Sequence, residues 1–63
     1  METRFNVGAS ASKLQELTEK FRNRLFVTER YGICDIEIAV PVEKDADDIV
    51  EWCDERGIGC VMT

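Results

Sequence analysis

Histidine is absent from these 63 residues, proline occurs once, and aromatic side chains make up 8% of the chain. Each shortage removes a kind of chemistry. Without histidine, no Ser–His or Cys–His nucleophile pair can be assembled, and a general base would have to be Asp, Glu, Lys or Tyr. Zinc sites want four Cys/His ligands, usually in close-spaced pairs, and neither is present. The cysteines are Cys34, Cys53 and Cys60, an odd count with no C-x-x-C, which argues against a disulfide framework. They read as small reduced hydrophobes, since free cysteine is among the most buried residue types. No apolar run approaches ~18 residues, so no membrane span is expected. The N-terminus, Met1-Glu2-Thr3-Arg4, lacks the apolar core of a signal peptide. The expectation is a cytoplasmic protein, not an enzyme, with no cofactor and no metal.

What the chain does have is charge, unevenly placed. Residues 1–31 carry six Lys/Arg and four Glu, whereas residues 32–63 carry two Lys/Arg and nine Asp/Glu. Most of the acid falls between Glu43 and Glu55. The 44% apolar content is that of a globular chain. At this length only about 60% of the unfolded surface is buried, so a partner subunit would help stability.

Thr3-Arg4-Phe5-Asn6-Val7 alternates polar and apolar, as a strand does. Gly8-Ala9-Ser10 breaks it. Ser12-Lys13-Leu14-Gln15 then fits a capping box with Ser12 as N-cap. Leu14, Leu17, Phe21 and Leu25 form one helical stripe, which fails at Phe26 and Val27. The helix is therefore expected to end near Arg24 or Leu25, with Leu25–Arg30 as a second strand. Asp35–Pro41 is the clearest strand, with Ile36, Ile38 and Val40 on one side and Glu37 and Ala39 on the other. Asp45 is the expected N-cap of a second helix whose core face is Ala46, Ile49, Val50 and Cys53. Gly57 suits the C′ position. Gly59–Thr63 reads as a last strand.

The order β-α-β-β-α-β describes a single α+β domain over residues 1–63. It is the ferredoxin-like split βαβ arrangement, with two helices on one face of a four-stranded antiparallel sheet. The alternative is a three-stranded β-α-β-α-β, if the first helix runs through residues 25–30. The expected core is Phe5, Val7, Leu14, Leu17, Phe21, Leu25, Ile36, Ile38, Val40, Ile49, Val50, Cys53, Ile58 and Val61 or Met62.

Families that use this sheet can be tested by their motifs. RNA-recognition domains stack bases on sheet aromatics. Here the first and third strands offer Arg4, Asn6, Glu37 and Ala39, and the acidic chain repels phosphate. Direct nucleic-acid binding is therefore not expected. Heavy-metal chaperones need C-x-x-C after the first strand, where this chain has Val7-Gly8-Ala9-Ser10. Small tautomerases need proline after the initiator Met; residue 2 is Glu. Asp45-Ala46-Asp47-Asp48 offers carboxylates but not the further ligands of a Ca²⁺ loop, and acids in a first turn complement the helix dipole.

The remaining signals concern interaction. Asp47, Asp48, Glu51, Trp52, Asp54 and Glu55 are the expected partner-binding residues. Tryptophan is enriched in interface hot spots, and carboxylates steer a basic partner. Cys60, Val61 and Met62 form an uncharged terminal strand suited to edge pairing. The expected function is a small acidic regulatory or inhibitory protein, a homodimer, that binds a protein with a basic surface. Phage- or plasmid-type modulators of host proteins have this character. The alternatives are an ACT-like module that senses a small molecule near Gly8–Ser12, and a partial DNA mimic.

Overall fold

Alternation decides the sheet. In the computed structural model, which describes residues 2–63, Phe5 and Val7 are buried within β1 (Thr3–Gly8). Ile36, Ile38 and Val40 are buried within β3 (Asp35–Val40). These two strands pair antiparallel, with Phe5 opposite Ile38 and Val7 opposite Ile36. Side chains at opposed positions share a face, so the pair presents one continuous apolar surface. β2 (Phe26–Arg30) and β4 (Gly59–Met62) pair antiparallel on the outside. The sheet order is β2-β3-β1-β4.

Two helices cover the apolar face. α1 (Ala11–Lys20) buries Leu14 and Leu17, and α2 (Glu43–Glu55) buries Ala46, Ile49 and Cys53. With Phe21, Leu25 and Ile58 they close a core in which, among the described residues, no polar or charged side chain is buried. The element order is the ferredoxin-like split βαβ. Residues 26–30 are strand, which excludes the long first helix and the three-stranded alternative.

Three local expectations are corrected. Ser10, not Ser12, caps α1. Its extended backbone is what an N-cap requires, and its Oγ accepts the Lys13 N–H at 3.4 Å. α1 ends at Lys20 rather than near Arg24, because Phe21 leaves helical geometry and Asn23 takes a positive φ of 71°. Asparagine tolerates that conformation better than most residues. Phe21 and Leu25 stay buried all the same, carried by the turn instead of by the helix. α2 starts at Glu43 with Val42 as a cap that makes no side-chain bond. Asp45 lies inside the first turn, where its negative charge complements the positive end of the helix dipole.

The end of α2 is as the sequence suggests. Gly57 has φ +66°, its N–H donates to the Asp54 carbonyl, and the Ile58 N–H donates to the Cys53 carbonyl at 2.9 Å. That is a Schellman closure with its apolar contact, as Ile58 and Cys53 both belong to the core.

The expected core is corrected at its margin. Val50 is 40% exposed, Val61 65% and Met62 67%. Val61 lies opposite Asn6, on the face without helices. Met62 lies opposite Phe5, on the helix side, but remains exposed at the sheet edge. Ala39 is buried instead, in the middle of the uncovered face between Arg4 and Phe26.

The thiols differ sharply. Cys34 is exposed and Cys53 is buried. Hydrogen bonding to Cys53, and then burial, pushes the Cys60 thiol well above its ordinary value.

Two outcomes are expected. Gly57→Ala should lower stability by about 1 kcal/mol, a backbone cost, since no atom stands within 4 Å of the added Cβ. Gly32→Ala, equally open but without the positive φ, should change it by less than about 0.5 kcal/mol. Urea melts would compare the two, and equal effects would contradict the cap. Toward a colorimetric disulfide reagent, Cys34 should react at the rate of a free thiol. Cys53 and Cys60 should lag by about a hundredfold or more until denaturant is added. Simultaneous reaction of every thiol would show that the α2–β4 packing is wrong.

Candidate functional site

Helical rotation of about 100° per residue sorts the α2 side chains into four directions. Ala46, Ile49 and Cys53 point at the sheet. Glu43, Asp47, Val50 and Asp54 form one flank. Asp45, Trp52 and Arg56 form the opposite flank. Lys44, Asp48, Glu51 and Glu55 make the outer ridge. The expected partner-binding residues are thus divided among three directions.

Trp52 stands apart from the acids it neighbours in sequence. Its ring meets Phe21 edge-on, with centroids 5.8 Å apart and planes at 89°. The Arg56 guanidinium lies 4.1 Å from the ring centroid on the exposed side. Arg56 also donates to the Trp52 carbonyl at 3.4 Å, and Lys13 of α1 donates to the Arg56 carbonyl at 3.3 Å. Trp52 is half-buried and braces α2 against the end of α1. Such ring contacts contribute about 0.5–1.5 kcal/mol each.

The other flank is open. Val50 and Met62, with Phe5 and Ala46 beneath them, line a groove of about 320 Å³ between α2 and the β4 side of the sheet. Its charged lining residues are Glu2, Glu43 and Asp47, all acidic. The groove is not evident from the sequence, in which Val50, and either Val61 or Met62, read as core. A signal was present: Val50 sits roughly 70° off the centre of the core stripe, near the limit of a buried face.

The α2 acids are exposed, Asp45 only partly. Both ion pairs among the described residues belong to Arg4, which meets Glu2 at 2.8 Å and Glu37 at 3.6 Å. No α2 carboxylate takes part in either. Glu43, Asp47, Glu51 and Glu55 follow one another at i, i+4 spacing, a row of like charges that weakens a helix by a few tenths of a kcal/mol per pair. Asp45, Asp47 and Asp48 diverge from the axis. Among the described residues no three His, Cys, Asp or Glu side chains converge on a metal-sized position.

The uncovered sheet face carries Arg4, Asn6, Glu37 and Ala39 as expected, and adds Phe26 from β2 and Val61 from β4. Thr28 donates to the Glu37 carboxylate at 2.8 Å. Near Gly8–Ser12, the Ser10 hydroxyl is taken up in capping. An open groove of about 290 Å³ runs beside α1, lined in part by Leu14, Thr18, Arg30 and Ile33. Among the described residues, no helix is long and apolar enough to cross a membrane.

No protein-family model matches the sequence, and no curated protein matches it. Among solved structures, the chain resembles part of the acyltransferase domain from module 8 of the salinomycin polyketide synthase, with a TM-score of 0.80 at 14% identity. The likeness covers 98% of this chain and 14% of that one, so it is a likeness of fold between this chain and a small piece of a much longer one.

Proposed function

We propose that this protein is a non-catalytic interaction protein that binds a basic surface of another protein through the acidic side of α2. One observation carries the reading. The exposed carboxylates of α2 have no ion-pair partner within the protein, among the described residues. An unpaired row of like charges weakens the free helix and steers a cationic partner toward it. Binding would relieve the repulsion. The outer ridge supplies long-range attraction, and the Val50 flank supplies apolar contact beside it. Trp52 serves the site indirectly, by holding α2 in place. The unpaired cysteines favour a reducing compartment, which supports a cytoplasmic location.

Tagged protein should capture its partner from lysate at low salt. Joint reversal of Asp47, Asp48, Glu51 and Asp54 to Lys should reduce that capture by about tenfold or more. Reversal of Glu16 and Glu19 on α1 should leave it unchanged. Equal capture by the wild-type and α2-reversed proteins would refute the reading.

A further inference from the structure

The two edges of the sheet are built differently. β2 carries Glu29 and Arg30 and is interrupted by a bulge between Val27 and Glu29. Charge and irregular register are the usual guards against unwanted strand pairing. β4 has neither. Gly59-Cys60-Val61-Met62 is uncharged and pairs with β1 in unbroken register.

The hydrogen bonding of β4 can be followed outward. The Thr63 N–H donates to the Arg4 carbonyl at 3.0 Å. In an antiparallel pair, bonded and non-bonded positions alternate. Val61 therefore turns its backbone groups inward to β1, while Cys60 and Met62 turn theirs away from the sheet. The free edge offers a regular donor and acceptor set.

Above that edge lies the Val50 flank of α2. The helix runs back along β4, so Asp54 stands toward Gly59, and Glu43 and Asp47 stand toward Met62. On the other side of the sheet, Val61 is exposed. A strand laid beside β4 would project alternate side chains to these two sides. On the helix side it would meet apolar surface rimmed by carboxylates. On the open side it would meet Val61.

We propose that β4 accepts an extended segment of the protein partner as a fifth strand, and that this segment alternates basic and apolar residues. Lys or Arg stems lie across Val50 and Met62, and their charged ends reach Asp54, Asp47 and Glu43. The apolar residues between them rest on Val61. Main-chain bonds supply affinity and the alternating side chains supply specificity. The inference rests on the acidic-face reading above and adds the binding mode and the partner's chemistry. A second copy fits the same edge poorly. Two β4 strands paired about a twofold axis would set both acidic flanks over one seam, with no cation on either flank.

The test uses isotope-labelled protein and a short alternating Lys–Val peptide. The amide signals of Cys60 and Met62 are expected to shift and to exchange more slowly with solvent. N-methylation of the peptide's edge-facing amides should weaken binding by about tenfold or more. A Glu–Val peptide should not bind, and Asp47→Lys with Asp54→Lys should abolish binding of the Lys–Val peptide. Met62→Pro removes an outward donor while sparing the bonds to β1, and should weaken binding comparably, with folding checked by circular dichroism. Binding that ignores N-methylation and shifts only α2 signals would overturn strand addition and leave the acidic-face reading standing. Binding that survives the charge reversals would overturn the proposed charge selection. Absence of peptide binding would also overturn the proposal, while lysate capture would still decide the acidic face. A dimer that forms at high salt and protects the Cys60 and Met62 amides would identify a second copy as the occupant and overturn it too.

Discussion

The structure depends on one apolar layer. Phe5 and Val7 of β1 and Ile36, Ile38 and Val40 of β3 meet Leu14, Leu17, Ile49 and Cys53 of the helices, and among the described residues no polar side chain is buried with them. In a chain this short there is no second core to compensate for damage to the first. The outer features follow from that layer. It sets the distance of α2 from the sheet and thereby decides which of the α2 side chains overhang β4. It also draws the helices together enough for Trp52 to meet Phe21.

Charge is arranged around this layer with little internal compensation. Arg4 satisfies Glu2 and Glu37 on the open sheet face, and Arg56 lies over Trp52. The acids of α2 are left to solvent. Their mutual repulsion is small beside the burial of Ile49 and Cys53, so the helix persists with a charge row that has no ion-pair partner among the described residues. A surface of this kind gains most from a partner that brings cations, and the neighbouring groove adds apolar area that solvent would otherwise wet. The acidic Val50 flank, its groove and the β4 edge are adjacent.

Much of the fold was legible because period-two alternation in β1 and β3, and the failure of the helical stripe at Phe26, are local signals. The closure at Gly57 was legible for the same reason. Local reading failed where two signals competed. Ser10 and Ser12 are equally good caps by residue type, and only the backbone path into α1 decides between them. The stripe Leu14–Leu25 looks like one helix, but the turn through Asn23 delivers Phe21 and Leu25 to the core without helical geometry. Val50, Val61 and Met62 look like core by composition, yet they lie at or beyond the edge of what α2 and β1 cover.

The sequence by itself determined the strands β1 and β3, the two amphipathic helices and the concentration of acid on the second helix, because each is written in residues close along the chain; that residues 26–30 form a strand and not more helix was settled by their pairing with β3. It also determined that the core would be wholly apolar. Which acids stand together, which side of α2 overhangs the β4 edge, and whether Trp52 faces a partner or α1 were decided only by the tertiary structure. Those properties depend on the packing of α2 against α1 and β4, elements that meet across the fold. Periodicity gives the direction of a side chain around its own helix; it does not say what stands in that direction.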